Sequence, residues 1–94
     1  MRYIFEASRL SGKDNAVFPD QLIIDDEAVT YRKGRVIGYK ETRLRYQAIG
    51  CVSLSKHLLF SDIIIETNGG MVIQAKGFST YEAEEIVELI ESMS

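Results

Sequence analysis

The stretch Asp62-Ile63-Ile64-Ile65-Glu66-Thr67-Asn68-Gly69-Gly70 decides the fold of this 94-residue chain. Its three consecutive isoleucines favour a β-strand, because side chains branched at Cβ are stiff at χ1 and suit a pleated surface. The Asn68-Gly69-Gly70 sequence favours a tight turn, since glycine adopts a positive φ without steric cost. Residues 71–76 then supply the partner strand. The stretch therefore predicts an antiparallel β-hairpin.

Shorter segments of β character precede this hairpin. Apolar and polar side chains alternate along them, which is the period of a half-buried strand, and the alternation directs Leu44 and Tyr46 inward. The acidic cluster Asp25-Asp26-Glu27 and the glycine at Gly34 predict turns between strands. The predicted strands are residues 2–7, 21–24, 28–33, 39–46 and 49–54.

The last segment changes to a helical period. Ser79-Thr80-Tyr81-Glu82 matches a capping box, in which serine and glutamate side chains satisfy each other's free backbone N–H groups. Phe78 and Ala83 are spaced as a hydrophobic staple around this start. Apolar residues then recur at helical spacing, and glutamates take the opposite face. The pattern predicts an amphipathic helix over residues 79–93.

Together these elements predict a mainly β fold of the β+α kind. About seven short antiparallel strands form a β-roll, and the C-terminal helix caps it. Ninety-four residues suit one domain, and no linker composition divides them. We expect a single domain over residues 1–94, in which residues 1–17 form an N-terminal strand or arm.

The order of these features resembles that of bacterial pleckstrin-homology (PH)-like domain proteins. The resemblance runs from Phe18 to the C-terminal helix and leaves residues 1–17 outside it. It is carried by Leu22-Ile23-Ile24 and Val29-Thr30-Tyr31 around an acidic turn, by residues 42–49 followed by Val52, by residues 63–70, and by the Gly77-Phe78 step into the helix. The resemblance implies a binding scaffold. Eukaryotic relatives often bind phosphoinositides through basic residues near the first hairpin, and bacterial members are similar to oligomerising or partner-binding modules.

Charge is distributed unevenly along the chain, although the net charge is only −3. Residues 28–60 hold seven basic side chains and one acidic side chain, and residues 61–94 hold one basic and seven acidic side chains. These two segments therefore carry +6 and −6. Such asymmetry indicates electrostatic partners, including a second copy of the same chain.

The basic side chains form the first candidate site. Three surround the Gly34 turn and three follow on the returning strand: Arg32, Lys33, Arg35, Lys40, Arg43 and Arg45. Arginine forks suit phosphate oxygens, which favours an anionic lipid or phosphate ligand. A protein partner and a simple solvated hairpin, whose charges protect a sheet edge, fit the same residues. All three interpretations remain open at this point.

Acidic and apolar residues form the second candidate site, for self-association. Glu84, Glu88 and Glu91 lie on the outer face of the predicted helix, which is either a solvated face or a surface that pairs with the basic hairpin of another copy. Leu58, Leu59 and Phe60 form an apolar run between strands. These three residues either fill the core of a small roll or form a self-association patch.

The sequence offers little for catalysis, metal binding or a cofactor. Cys51 is the only cysteine and His57 the only histidine, which is too few for a zinc site. No pair of groups has the pattern of a catalytic site, and we expect no enzyme activity and no cofactor. The basic stretch lacks interleaved aromatic residues beyond Tyr39 and Tyr46, so we do not expect nucleic-acid binding.

The expected compartment is the cytoplasm. The chain has no run of about 20 apolar residues that would span a membrane. Its N-terminal apolar stretch is interrupted by Glu6 and Arg9, unlike a signal peptide. The function that these features favour is a non-enzymatic module that binds a protein partner or its own copies, and the alternative is an anionic lipid or phosphate module that uses the basic hairpin.

Overall fold

The computed structural model describes residues 1–8, 19–34 and 38–94. Within these ranges the chain forms seven strands and one α-helix. The elements are β1 (Tyr3–Glu6), β2 (Gln21–Ile24), β3 (Ala28–Gly34), β4 (Tyr39–Arg45), β5 (Ile49–Lys56), β6 (Phe60–Thr67), β7 (Val72–Ser79) and α1 (Thr80–Met93). A short 3-10 turn, Tyr46–Ala48, joins β4 to β5.

The seven described strands form two antiparallel sheets. The first sheet has the order β1-β2-β3-β4 and the second the order β5-β6-β7. The helix α1 follows β7 and packs mainly against the second sheet. The predicted β-roll with one C-terminal helix is confirmed. Residues 3–6, which lie outside the family resemblance, form a regular edge strand, in which Tyr3 pairs with Ile24.

One apolar core lies between the sheets and beneath the helix. Alternation along each strand directs every second side chain into it, and one face of α1 completes it. Leu44 and Tyr46 are buried as the alternation predicts. The fully buried large side chains are Leu22, Ile24, Val29, Ile63, Ile65, Phe78, Ile86 and Ile90.

The predicted hairpin at Asn68-Gly69-Gly70 is confirmed. Thr67 N–H donates to the Met71 carbonyl at 2.8 Å and closes the turn. Gly70 has φ +93°, a conformation that side chains with a Cβ rarely adopt, so glycine is required there. The strands β6 and β7 extend beyond the predicted residues 62–67 and 71–76, reaching Phe60 and Ser79.

A β-bulge allows this extension. Ser61 lies opposite Phe78 and Ile63 opposite Ala75, so Asp62 alone faces the two residues Lys76 and Gly77. Gly77 has φ +84° and its carbonyl accepts a 2.8 Å hydrogen bond from Ser8 N–H. The bulge therefore lets β7 continue to the helix and ties the end of the N-terminal segment to the second sheet.

The helix begins as predicted, but only half of the capping box forms. Glu82 N–H donates to Ser79 Oγ at 3.3 Å, which satisfies one free N–H group of the first turn. The Glu82 carboxylate lies 3.3 Å from the Ser79 hydroxyl, not at the serine backbone N–H. Ser79 is also the last residue of β7, opposite Phe60, so its backbone belongs to the sheet. Phe78 and Ala83, the predicted staple, are both fully buried.

Two expectations about connections are wrong. Gly34 is the last residue of β3 and is paired with Tyr39, so it belongs to the strand and not to a turn. The Gly34 N–H donates to the buried carboxylate of Asp20 at 2.9 Å, and this bond holds Gly34 in the strand.

The interpretation that Leu58 and Leu59 fill the core is also wrong, because their side chains are 95% and 70% exposed. His57 N–H bonds the Phe60 carbonyl at 2.9 Å, so both leucines lie at the tip of a tight turn.

The isoleucine triplet provides a matched test of the two faces of β6. Ile65 is fully buried, whereas Ile64 is half-buried on the outer face. We expect Ile65→Ala to lower the free energy of unfolding by about 2–5 kcal/mol, because it leaves a core cavity. Ile64→Ala should cost about 1 kcal/mol or less. Urea unfolding measures both, and equal losses would contradict the placement of the core.

Candidate interaction surfaces

Strand alternation divides the predicted basic cluster between two faces. Arg32, Arg43 and Arg45 alternate with buried residues and therefore lie on the outer face of the first sheet. Lys33 and Lys40 have the opposite parity and lie directly across from each other at the end of the β3–β4 hairpin. Arg35 lies outside the described residues. The cluster is therefore two smaller basic groups.

Arg32 belongs to a polar row that crosses all four strands of the first sheet. Gln21 Nε2 donates to Glu6 Oε2 at 2.7 Å, and an Arg32 terminal N–H donates to Gln21 Oε1 at 3.0 Å. Arg32 Nε lies 2.8 Å from Glu41 Oε2, an ion pair whose N–H is too poorly aligned for a hydrogen bond. The guanidinium also stacks 4.1 Å from the centre of the Tyr39 ring. Partners within the chain thus already hold Arg32.

Arg43 is held more loosely than Arg32. It lies 3.4 Å from Asp25 Oδ2, a long contact for an ion pair, and its side chain is about half exposed. Asp25 Oδ1 accepts hydrogen bonds from the N–H groups of Glu27 and Ala28, and these bonds lower the pKa of the Asp25 carboxyl, with a further contribution from Arg43. Asp25 therefore stays charged, and the guanidinium of Arg43 remains accessible to a second anion.

An open depression lies on this outer face of the first sheet. It is lined by Arg2, Ile23, Asp25, Thr30, Arg32, Glu41 and Arg43. The register places Ile4, Ile23, Thr30 and Arg43 in one row across the four strands. Sequence reasoning identified Arg32 and Arg43 but missed Arg2, Ile23 and Thr30. Their grouping depends on strand pairing between residues distant in sequence, which a local pattern does not contain.

The acidic face of α1 is also partly neutralised. Lys56 Nζ lies 3.0 Å from Glu84 Oε2, so Glu84 is paired within the chain. Glu85, Glu88 and Glu91 are exposed, and among the described residues no basic group lies within ion-pair distance of them. Exposed negative charge without an ion-pair partner in the described part of the chain therefore lies on the helix at Glu85, Glu88 and Glu91.

The leucines of the β5–β6 turn form an apolar tip next to the start of α1. The hydroxyl of Thr80 contacts the Leu59 carbonyl at 3.4 Å and the Ser61 hydroxyl at 2.9 Å. The next residue, Tyr81, is 79% exposed. Phe60, the third residue of the predicted patch, is half-buried. We call the exposed surface of Leu58, Leu59 and Tyr81 the apolar tip.

His57 faces a buried carboxylate and not a nucleophile. Its Nε2 lies 3.3 Å from Oδ2 of Asp62, which also accepts from Gln74 Nε2 at 3.2 Å. Oδ1 of Asp62 accepts the Gly77 N–H at 3.2 Å. In residues 1–8, 19–34 and 38–94, no side chain hydrogen-bonds the other ring nitrogen of His57. The arrangement orients the imidazole and stabilises the bulge.

Two further features bear on what the chain can bind. Among the described residues, no three His, Cys, Asp or Glu side chains are grouped so that they could hold a metal ion. The described part of the chain also contains no helix that combines the length and the apolar character needed to cross a membrane.

Comparison with protein families agrees with this architecture. The family model described as "Bacterial PH domain" matches residues 10–92. The chain belongs to the bacterial PH domain family. The resemblance predicted from the sequence began at Phe18. The family match begins eight residues earlier, at residue 10. None of the curated proteins compared with the chain matches it. PH domains are generally binding modules, and the family assigns a role of this kind to the bacterial PH domain described here.

The reactivity of the Cys51 thiol can be used to test the contact between Cys51 and Glu66 on the outer face of the second sheet. Cys51 is exposed and donates to Glu66 Oε2 at 3.4 Å, and this hydrogen bond, with smaller contributions from burial and from the charge of Glu66, raises the pKa of the thiol. We expect Glu66→Gln to lower that pKa. Reaction with a thiol reagent near pH 8 should then become roughly two- to fivefold faster, because the thiolate is the nucleophile. Glu88→Gln is the control, and equal rates for both variants would contradict the Cys51–Glu66 contact.

Proposed function

We propose that this bacterial PH domain is a non-enzymatic interaction module that assembles with its own copies through complementary charges. The observation that carries the proposal is the separation of its free charges onto different elements. Lys33, Lys40 and Arg45 are exposed on β3 and β4, and Glu85, Glu88 and Glu91 on α1. None of these six has an ion-pair partner among the described residues.

The pairing of Lys33 with Lys40 supports an acidic partner. Two like charges directly opposite each other on adjacent strands destabilise a hairpin. Arg32 and Lys56, by contrast, each lie next to an opposite charge, on Glu41 and Glu84. An acidic surface that docks on the hairpin end would relieve the repulsion. The helix of a second copy carries such a surface.

An anionic lipid or phosphate ligand is the second candidate. Lys33 and Lys40 at the hairpin end would carry it, since Arg32 is held in the polar row. The carboxylates of Asp25 and Glu41 in the neighbouring depression disfavour a multiply charged phosphate there. The free thiol of Cys51 suits a reducing compartment, and we expect either function to operate in the cytoplasm.

The first test is the solution mass at two salt concentrations. We expect light scattering behind a sizing column to give a mass above the 10.6 kDa monomer at about 0.1 M salt. The mass should fall towards the monomer at about 1 M salt, where the screening length shrinks from about 10 Å to about 3 Å. Glu88→Lys with Glu91→Lys should abolish assembly at low salt. The matched control is Glu27→Lys with Glu66→Lys, which changes the net charge equally elsewhere.

The outcomes separate the candidate functions. A multimer that is insensitive to salt and to the helix substitutions would contradict assembly by charge. A monomer at both salt concentrations that sediments with acidic vesicles, but not with neutral ones, would favour the lipid candidate. A monomer that binds neither would leave a different protein as the partner and would overturn self-assembly.

The substitution Lys40→Glu should change the stability of the monomer and the strength of assembly in opposite directions. The substitution replaces a like-charge pair with an opposite-charge pair opposite Lys33. We expect it to raise the free energy of unfolding of the monomer by about 0.2–1 kcal/mol. The same change should weaken assembly, because it removes positive charge from the docking surface. Thermal unfolding in high salt and light scattering in low salt measure the two effects, and a loss of both stability and assembly would point to misfolding.

A further inference from the structure

The two sheets have four edge strands, and three of them are protected against pairing with a further strand. β1 has only four residues, and β4 carries four charged side chains along its seven residues. β7 is interrupted by the bulge, and Ser8 is bonded to it at Gly77. Short strands, charged edges and bulges are devices with which proteins prevent another chain from adding to a sheet.

The fourth edge strand, β5, lacks these protections along most of its length. Its register with β6 is irregular only between Ile49 and Cys51, and it is regular from Cys51 to Lys56. The regular part contains no proline, and its single charge, on Lys56, is paired with Glu84. Within the part of the chain that the structure describes, no strand pairs with the outer edge of β5. That edge therefore offers backbone N–H and C=O groups to an added strand.

One side of α1 lies next to this open edge. Lys56, at the end of β5, reaches Glu84 at 3.0 Å, and α1 packs more extensively on β5 than on β6 or β7. Val87, Glu88 and Glu91 follow Glu84 at i+3, i+4 and i+7, so they continue the same side of the helix. Glu88 and Glu91 are exposed, and neither has an ion-pair partner among the described residues. The open edge thus runs beside unpaired negative charge.

The side chains of β5 on the helix side of the sheet are apolar. Val52 and Leu54 are half-buried and pack against the core. Every second side chain of an added strand would lie beside them, because side chains alternate between the two faces of a sheet. Lysine and arginine suit these positions, since their aliphatic stems cover apolar surface while the charged ends reach outward to Glu88 and Glu91.

We propose that β5 binds an extended basic segment of another protein, which adds a fourth strand to the second sheet. The backbone of the segment pairs with the open edge between Cys51 and Lys56. Basic side chains at every second position lie along Val52 and Leu54 and pair with the acidic side of α1. The inference goes beyond the self-assembly proposed above, because it requires neither the β3–β4 hairpin nor a second copy.

Charge disfavours a second β5 strand as the occupant. Antiparallel pairing of two β5 strands about a two-fold axis would place both helices on the same side of the joined sheet. Their acidic sides, each with Glu88 and Glu91, would then face each other across the axis. Like charges that meet across an interface repel, whereas a basic segment neutralises the single acidic side beside the edge.

Binding of a defined peptide tests the site. The probe is a fluorescent, end-blocked peptide of about seven residues in which lysine alternates with threonine, a length that matches one short strand. We expect it to bind at low salt in fluorescence polarisation, and we expect the same peptide with glutamate in place of lysine not to bind. Glu88→Gln with Glu91→Gln should weaken binding about three- to tenfold, because two ion pairs are lost. The matched control is Glu27→Gln with Glu85→Gln, which removes the same charge elsewhere.

Backbone methylation distinguishes strand addition from simple charge attraction. Successive N–H groups of a strand point to opposite edges, so only one alternate set of the peptide can donate to β5. One further peptide is N-methylated on every lysine and another on every threonine. We expect one of the two to lose binding and the other to keep it. Hydrogen exchange measured by NMR should also slow at alternate amides of residues 51–56 when the unmethylated peptide binds.

The outcomes separate the possible occupants. No binding of the lysine peptide would overturn the proposal, and binding that both methylated peptides retain would overturn strand addition. Equal weakening by the two pairs of substitutions would contradict a role for Glu88 and Glu91. If the β5 amides are protected in a multimer of the chain alone and exchange freely in its monomer, a second copy is the occupant and the proposed partner is wrong. Self-assembly is judged separately by the solution mass, so its failure would leave the peptide result intact.

Discussion

The buried carboxylate of Asp62 is the interaction on which the second sheet depends. It accepts the Gly77 N–H in the bulge and draws Gln74 and His57 around it. Without these donors a buried carboxylate would be strongly unfavourable, and without the carboxylate the bulge would lose its central acceptor. The bulge in turn carries β7 on to the Ser79 cap and presents the Gly77 carbonyl to Ser8. The bulge that Asp62 stabilises thus lies between the start of the helix and the attachment of the N-terminal segment.

Asp20 performs a similar task in the first sheet. Its buried carboxylate accepts the Tyr31 hydroxyl at 2.7 Å and the Gly34 N–H at 2.9 Å, which keeps β3 regular up to its last residue. The β3–β4 hairpin is therefore long enough to place Lys33 opposite Lys40. Two buried acids hold the scaffold, while the exposed acids and bases remain on its surface. The net charge of −3 does not distinguish the buried acidic side chains, which stabilise the fold, from the exposed charged side chains.

From the sequence, only the net charge of each segment of the chain could be predicted, not which charged side chains form ion pairs. The tertiary structure showed which charges are already satisfied: strand pairing places Arg32 against Gln21 and Glu41, and helix packing places Glu84 against Lys56. Strand pairing also placed Arg2 and Arg43 around the same depression, although 40 residues separate them in the sequence. Such contacts depend on register between strands, and a shift by one residue would move each side chain to the other face.

The sequence by itself determined the elements with strong local physics. The isoleucine triplet, the Asn68-Gly69-Gly70 turn and the Ser79 cap each act over a few residues, so their patterns were sufficient to predict a hairpin followed by a helix. Only the tertiary structure decided the exposure of Leu58 and Leu59, the division of the basic residues between two faces and the formation of the depression. Burial and ion pairing depend on what packs against a side chain, and that neighbour comes from a distant part of the chain.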